Sequence, residues 1–380
     1  MDFSFPNIDW SPISIVFMTF LVAVGIQLTY ICLIYLRFVF YSAKHNQRLE
    51  ESLVPVSVII AARNEEDNLY QNLPKILGQN YPEFEVIVVN HQSVDDSKHI
   101  LQAYQKQYPN LKVIDIERNT HLRNGKKLPI TMGVKGAKYA HFIFTDADCQ
   151  PISSDWLKLM AGKFSEKKQL VLGYGPYRKT KGFLNFLIRF DTAQIAVNYF
   201  SYACAGFPYM GVGRNMGYTK SLFDSVHGFK SHYAIQSGDD DLFVRDAARK
   251  RNYTIQFAKE SVCYSDAKET FSKWVEQKQR HFTTAPTYKV FHKVLLGTYP
   301  LTMWMTLLTF VTLVFSEEYW LWSSVIFVGF FFLKWLVNAI NLSKIGEKSA
   351  ALWFPVMELV HMTILPFIYY SSDKNKQQWK

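Results

Sequence analysis

The stretch HFIFTDADCQP, residues 141–151, runs from apolar residues into two carboxylates one residue apart, Asp146 and Asp148. A turn explains one aspartate, because Asp readily bends the backbone. The second needs a positive charge nearby to offset the repulsion. Beside a nucleotide pocket that charge would be Mg2+ or Mn2+, hard cations that take oxygen ligands and share them with phosphates. A second acidic run, SGDDDLFVR at 237–245, reads from its residues alone as an acidic helix start, favoured by the helix dipole.

The elements around these carboxylates alternate. From residue 54 come VPVSVIIAA, DNLYQNLPKILGQ and FEVIVVN, then VDDSKHILQAYQKQ, LKVIDI and AHFIFTD. Short β-branched runs separated by amphipathic segments predict strand, helix, strand, repeated, and near-continuous apolar strands predict a parallel sheet covered on both faces. Ser93 with Asp96 three residues on fits a capping box for the second helix. Right-handed crossovers place the strand carboxyl ends along one edge, where open α/β sheets bind ligands. Arg63, Asn64 and Glu65, then Asn90 to Asp95, then Asp146 to Asp148 all fall there. AARNEED follows the first strand in place of a glycine-rich fingerprint, which disfavours a nicotinamide or P-loop site.

Apolar residues concentrate at the two ends of the 380-residue chain. Residues 13–36 carry no charge and exceed the roughly 20 needed to cross a bilayer. The run is too long for a signal peptide and lacks a basic leader and a cleavage site, so it reads as a retained membrane helix. Three more spans are expected at about 294–315, 319–342 and 351–370, the last two containing Lys334, Glu358 and His361. The alternative is a buried helical core. Arg37, Lys44 and Arg48 after the first run, and Lys289 and His292 before the second, place the middle of the chain in the cytoplasm, SEE outside and SKIGEK inside. The tail DKNKQQWK then falls outside. This gives an N-terminal helix and linker at 1–50, a cytoplasmic domain at 51–290 and C-terminal membrane helices at 291–380 in a multi-pass protein of the inner (plasma) membrane.

The net charge of +10 clusters beside the apolar runs, and no nucleic-acid motif appears, so lipid headgroups and a phosphate-bearing substrate are the expected partners. Cys32, Cys149, Cys204 and Cys263 show no metal-ligand spacing and are expected as free thiols. Residues 182–207 and 268–293 read as helices resting at the membrane surface. The first is equally consistent with core.

VSVIIAARNEEDNL, VVNHQSVDDS, FTDADC, GVGRNMGY, SGDDDLFVR and QKQRH, in this order between apolar ends, resemble the membrane-bound family-2 glycosyltransferases of the inverting GT-A fold. The resemblance implies a mixed, largely parallel sheet flanked by one N-terminal and about three C-terminal membrane helices. Arg63, Asn64, Glu65, Asn90, Ser93 and Asp95 would cradle a UDP- or GDP-linked sugar, although Asn90 and His91 replace the family's usual aspartates. Asp146 and Asp148 match the D-x-D that holds the metal, with Asp146 also on the donor. Lys126 is either a phosphate contact or a surface lysine. In SGDDDLFVR, Leu242 and Arg245 set a register that puts Asp239 on the family's general base and Gly238 where a glutamate usually stands, with Asp240 as its possible substitute. Gln277, Arg280 and His281 match a Q-x-x-R-W box, with histidine for tryptophan, that closes on the diphosphate. The implied reaction is metal-dependent transfer of a sugar, with inversion, to a lipid or membrane-associated glycan. A non-catalytic membrane scaffold or transport component is the alternative that Asn90, Gly238 and His281 keep open.

Overall fold

The structure is a computed structural model that describes residues 10–42, 53–119, 125–249 and 251–371. Lys44, Arg48 and the tail at 373–380 lie outside the described residues. The first apolar run is helical from Pro12 to Phe40. It starts at an N-cap Ser11 with proline in the first turn, and comprises α1 (Pro12–Tyr30), a π-helical turn (Ile31–Tyr35) and α2 (Leu36–Phe40).

The central domain follows the predicted alternation. Its elements are β1 (Val56–Ala62), α3 (Glu66–Leu77), β2 (Phe84–His91), α4 (Ser97–Gln107), β3 (Leu111–Ile116), α5 (Lys127–Gly136) and β4 (His141–Asp146). Then come β5 (Gln150–Pro151), α6 (Trp156–Ala161), β6 (Leu170–Leu172), α7 (Phe183–Cys204), β7 (Met216–Thr219), α8 (Lys220–Ser225), α9 (Asp241–Ala247), β8 (Tyr253–Ile255), β9 (Cys263–Tyr264) and α10 (Phe271–Phe282). The main sheet has the order β3-β2-β1-β4-β7-β6-β8. β1 to β4 are parallel, β7 runs antiparallel to β4 and β6, and β6 and β8 are parallel again, so the sheet is mixed and largely parallel. Every residue of β1 is buried. Val56, Val58 and Ile60 pack with Leu69, Leu73 and Ile76 of α3 on one face, while Ile59 packs with Ile130, Phe144 and α7 on the other. A strand covered on both sides needs an unbroken apolar run, as VSVIIAA supplies.

Three long helices complete the chain: α11 (Val290–Leu313), α12 (Trp320–Lys344) and α13 (Lys348–Tyr370). With the N-terminal helix they make, among the described residues, four helices long and apolar enough to cross a membrane. α1 packs on α11 and α12 on α13. The charges that interrupt the last two are paired in the interior, Lys334 Nζ lying 2.9 Å from Glu358 Oε1, which also accepts the Tyr299 hydroxyl at 3.0 Å.

Two local expectations are corrected. Ser93 does not cap α4: the helix begins at Ser97 with Asp96 as N-cap, and the Ser93 hydroxyl accepts the Asn64 N–H at 2.9 Å instead. Helix α7 is the other: most of its residues are buried against the sheet and against α2, α12 and α13, so its apolar stripe faces protein between the domain and the candidate membrane helices.

Candidate active site

Asp146 is the last residue of β4. The turn after it is closed by the Cys149 N–H donating to the Asp146 carbonyl at 3.0 Å and held by Asn72 of α3, which donates to the Ala147 carbonyl at 3.2 Å. This turn sets the Asp146 and Asp148 carboxylates and the Cys149 sulfur within 4.8 Å of one another. Burial pushes the Cys149 thiol well above its ordinary pKa, aided by Cys263 and Asp148, and the thiol donates to Asp148 Oδ1 at 3.4 Å. The two carboxylates supply hard oxygen ligands of the kind Mg2+ or Mn2+ takes. Burial and the neighbouring Asp146 raise the Asp148 pKa, with Lys126 and Arg214 opposing. Lys126 Nζ lies 2.7 Å from Asp146 Oδ1.

Asp239 reaches the same place from the other side of the sheet edge. It lines a small cavity with Ile59, Phe144, Thr145, Asp146, Gly213 and Tyr218. Burial against these groups and the adjacent Asp240 push its carboxyl up to about 6, with Lys126 pulling the other way. Its two neighbours are committed elsewhere. Asp240 is the N-cap of α9 and accepts the Asp241 N–H at 2.8 Å and the Gly213 N–H at 2.9 Å. Asp241 accepts the hydroxyls of Thr284 and Tyr288 and the Leu242 N–H at 2.7 Å. Gly238 sits at φ +95, and a Cβ there would approach Leu242 Cδ1 to 2.6 Å, so the local backbone favours glycine.

At the predicted nucleotide edge the structure puts several of the chosen residues to work between loops. Asn64, at φ 53, accepts the Val94 N–H at 2.9 Å, while Asp95 accepts the N–H groups of Glu66 and Ser97 at 3.1 and 3.2 Å. Ser93 bonds to the Asn64 backbone, as noted. These staples fix the β1–α3 loop against the β2–α4 loop. Asn90 donates to Asp115 Oδ1 of β3 at 2.8 Å, pairing an amide and a carboxylate at the edge. His91 is buried, and burial together with Arg63 lowers its pKa to about 4, so it is neutral there. Glu65 is held beside the D-x-D turn, where burial raises its pKa against the Asn68 hydrogen bond, with Asp148 and Asp146 adding to the rise. Arg63 is half-buried at the end of the same strand.

The α10 box comes up from the helical side. Gln277 donates to the Tyr177 hydroxyl at 3.0 Å, and the Tyr177 ring carries the Arg214 guanidinium 4.3 Å from its centre. Arg280 is half-buried and His281 exposed on the same helix. Lys278, between them, is buried and bonds both oxygens of Asp191 in α7 at 2.9 Å, and His361 of α13 reaches Asp191 Oδ1 at 2.8 Å. Although burial works against its charge, Lys278 and His361 hold the Asp191 carboxyl down at about 2. The sequence reading missed Lys127, Arg214, Tyr177 and Asp191. Arg214 stood inside the quoted GVGRN, and a charged residue in an otherwise apolar helix was the available signal for Asp191.

The fold and this sheet edge define a domain of the GT-A type. Residues 57–227 match the model of Glycosyl transferase family 2. The chain is 31% identical over 93 residues to a poly-beta-1,6-N-acetyl-D-glucosamine synthase of Staphylococcus epidermidis, a stretch that covers 24% of this chain and 21% of that protein. It is 32% identical over 139 residues to a beta-monoglucosyldiacylglycerol synthase of Nostoc sp., covering 34% of this chain and 28% of that protein. The aligned stretches thus span less than a third of either relative's length. Among solved structures, a mannosyltransferase from Pyrobaculum calidifontis, in complex with GDP-Man and Mn2+, superposes with a TM-score of 0.52 at 16% identity over 91% of this chain and 98% of that one, a likeness of fold.

Proposed function

We propose that this protein transfers a sugar, with inversion, from a nucleoside-diphosphate sugar to a lipid or a membrane-associated glycan. One observation carries the reading: Asp146 and Asp239 line one small cavity, with Asp148 beside Asp146 and Lys126 in contact with Asp146 and within electrostatic reach of all three. In the proposed step the acceptor hydroxyl oxygen attacks the anomeric carbon from the face opposite the diphosphate. The bond to the diphosphate breaks, Asp239 takes the hydroxyl proton, and the nucleoside diphosphate departs with the electron pair. A carboxylate titrating at about 6 accepts a proton well near neutrality. Asp146 and Asp148 would hold Mg2+ or Mn2+, whose Lewis acidity offsets the charge on the leaving diphosphate.

On this reading Glu65, Asn90 and Asp115 face the donor's base and ribose. Arg63 borders the same edge, and the backbone that Asn64, Ser93 and Asp95 staple supports it. Lys126, Arg214, Gln277, Arg280 and His281 belong to the diphosphate and acceptor side. Asp240 serves as the positioner of Asp239 through its bonds to Gly213 and Asp241. The names of the two relatives, one making a polysaccharide and one a glycolipid, support a glycan or lipid acceptor. The four apolar helices support a multi-pass protein of the inner membrane, organised as 1–50, 51–290 and 291–380. Arg37 at the end of the first helix and Lys289, His292 and Lys293 at the start of α11 support a cytoplasmic domain between them.

The experiment is mass spectrometry of products from purified protein, membrane lipid extract and a panel of UDP- and GDP-sugars. The reading expects one donor to add a hexose-sized increment to an extracted acceptor, and expects Asp148→Ala to abolish it. Folded protein that yields no product with any donor overturns the reading.

A further inference from the structure

Two adjacent lysines at the start of α5 have opposite surroundings. Lys127 is fixed: its ammonium donates to the carbonyls of His232 and Ile235 at 2.6 Å and of Ser237 at 2.8 Å, using all three N–H groups on the loop that leads into Asp239. Lys126 instead faces carboxylates, with Nζ 2.7 Å from Asp146 Oδ1, and is about one-quarter exposed. Asp239 and Asp148 also act on its charge. Glu65 bears on the same cluster. One ammonium therefore stands within electrostatic reach of four carboxylates and in contact with one of the two that would hold a metal.

Lysine is suited to such a place because it is a point charge on a flexible stem that can re-aim without losing its anchor. The anchor here is the neighbouring clamp. Lys127 ties the helix start to the 232–237 loop and so fixes the backbone from which the Lys126 side chain extends. The first turn of α5 adds the positive end of a ten-residue helix to the same place, a setting that favours phosphate.

We infer that Lys126 is an exchangeable counter-ion: it would compete with a divalent cation for the Asp146 carboxylate it touches and, once displaced, would pair with a nucleoside diphosphate. The exchange rests on the glycosyltransferase reading above and sharpens it. Metal and nucleotide then bind in order of mutual need, because the metal must displace an internal cation and the displaced cation needs an anion. Lys127 is a positioning residue that keeps the base loop and the exchanging lysine in register.

The test measures Mn2+ binding by electron paramagnetic resonance, and UDP and GDP binding by calorimetry, on full-length protein in detergent. Without nucleotide, Lys126→Gln is expected to bind Mn2+ at least about tenfold more tightly than the parent, because a competing charge has gone. With Mn2+ present, the same variant is expected to bind the preferred nucleoside diphosphate about tenfold more weakly. A merely structural lysine would move both affinities the same way. Lys126→Arg, whose fork holds Asp146 more firmly, is expected to weaken Mn2+ binding, and it serves if the glutamine variant does not fold. Unchanged or weaker Mn2+ binding in Lys126→Gln overturns the exchange while leaving the metal site standing. Absence of Mn2+ binding in every form, with and without nucleotide, overturns both.

Discussion

The Gly213 N–H donates to Asp240 Oδ2 at 2.9 Å, tying the GVGRN turn to the N-cap of α9. The bond fixes Asp240 against the GVGRN turn, while Asp239, one residue earlier, lines the cavity it shares with Asp146. On the proposed reading Asp239 is therefore the base and Asp240 its positioner.

Asp239→Asn keeps the size of the side chain and removes the proton acceptor. It should lower turnover by about a hundred- to ten-thousandfold with donor binding largely kept, as loss of general-base catalysis does. Asp240→Asn should instead show a loss of roughly 1 kcal/mol in stability and a much smaller kinetic effect. Steady-state kinetics and thermal unfolding of the two variants separate these outcomes, and similar turnover in Asp239→Asn and the parent would refute the assignment.

On the proposed reading the same carboxyl sets the acid limb of activity. Its folded pKa is raised, so the protonated and inactive form accumulates as pH falls through about 6. Turnover should then drop by about tenfold per unit below that pH. A profile measured at saturating donor that stays flat to about pH 4.5 would show that Asp239 is not the base, or is not raised.

Asp191 joins three elements, accepting from Lys278 of α10 and His361 of α13 while sitting in α7. Removing one partner of a buried pair leaves the other uncompensated, at a cost of about 3–5 kcal/mol. Asp191→Asn should destabilise the protein by that order and loosen the helix that bears Gln277 and Arg280. Adding Lys278→Met should recover a large part of the loss, and a double variant as unstable as the sum of the singles would contradict the pairing.

Gly238 lies at φ +95 with Leu242 against it, so Gly238→Ala combines backbone strain and a clash. Strain of this kind is worth about 1–3 kcal/mol. The expected result is a lower unfolding temperature together with a lower turnover, because the strain falls on the residue before the base. An alanine variant with parental values in both assays would rule out the positional requirement.

Much of the domain could be read because its signals are local. Unbroken apolar runs predicted β1, β2 and β4 as strands covered on both faces, and the break after each run marked the edge at which Asp146 and Asp148 now stand. The residue types that failed to declare themselves depend on partners far away in sequence. Ser93 has the spacing of a helix cap, yet its hydroxyl is used by Asn64, 29 residues earlier. Lys127 differs from Lys126 only in reaching carbonyls more than 100 residues on. α7 has the composition of a surface-lying helix, and its place in the core depends on α12 and α13 closing over it. Asp239 was separable from Asp240 only by the register of Leu242 and Arg245, and the bond to Gly213 supplies the physical reason.

The central claim is that Asp146 and Asp148 bind metal and nucleoside diphosphate together. The most direct test is calorimetric titration of UDP and GDP into purified parent protein and Asp148→Ala, each with Mn2+ and with chelator. One nucleotide should bind the parent far more tightly in Mn2+ than in chelator, and Asp148→Ala should lose most of that difference. Equal affinities with and without metal in the parent would contradict the account.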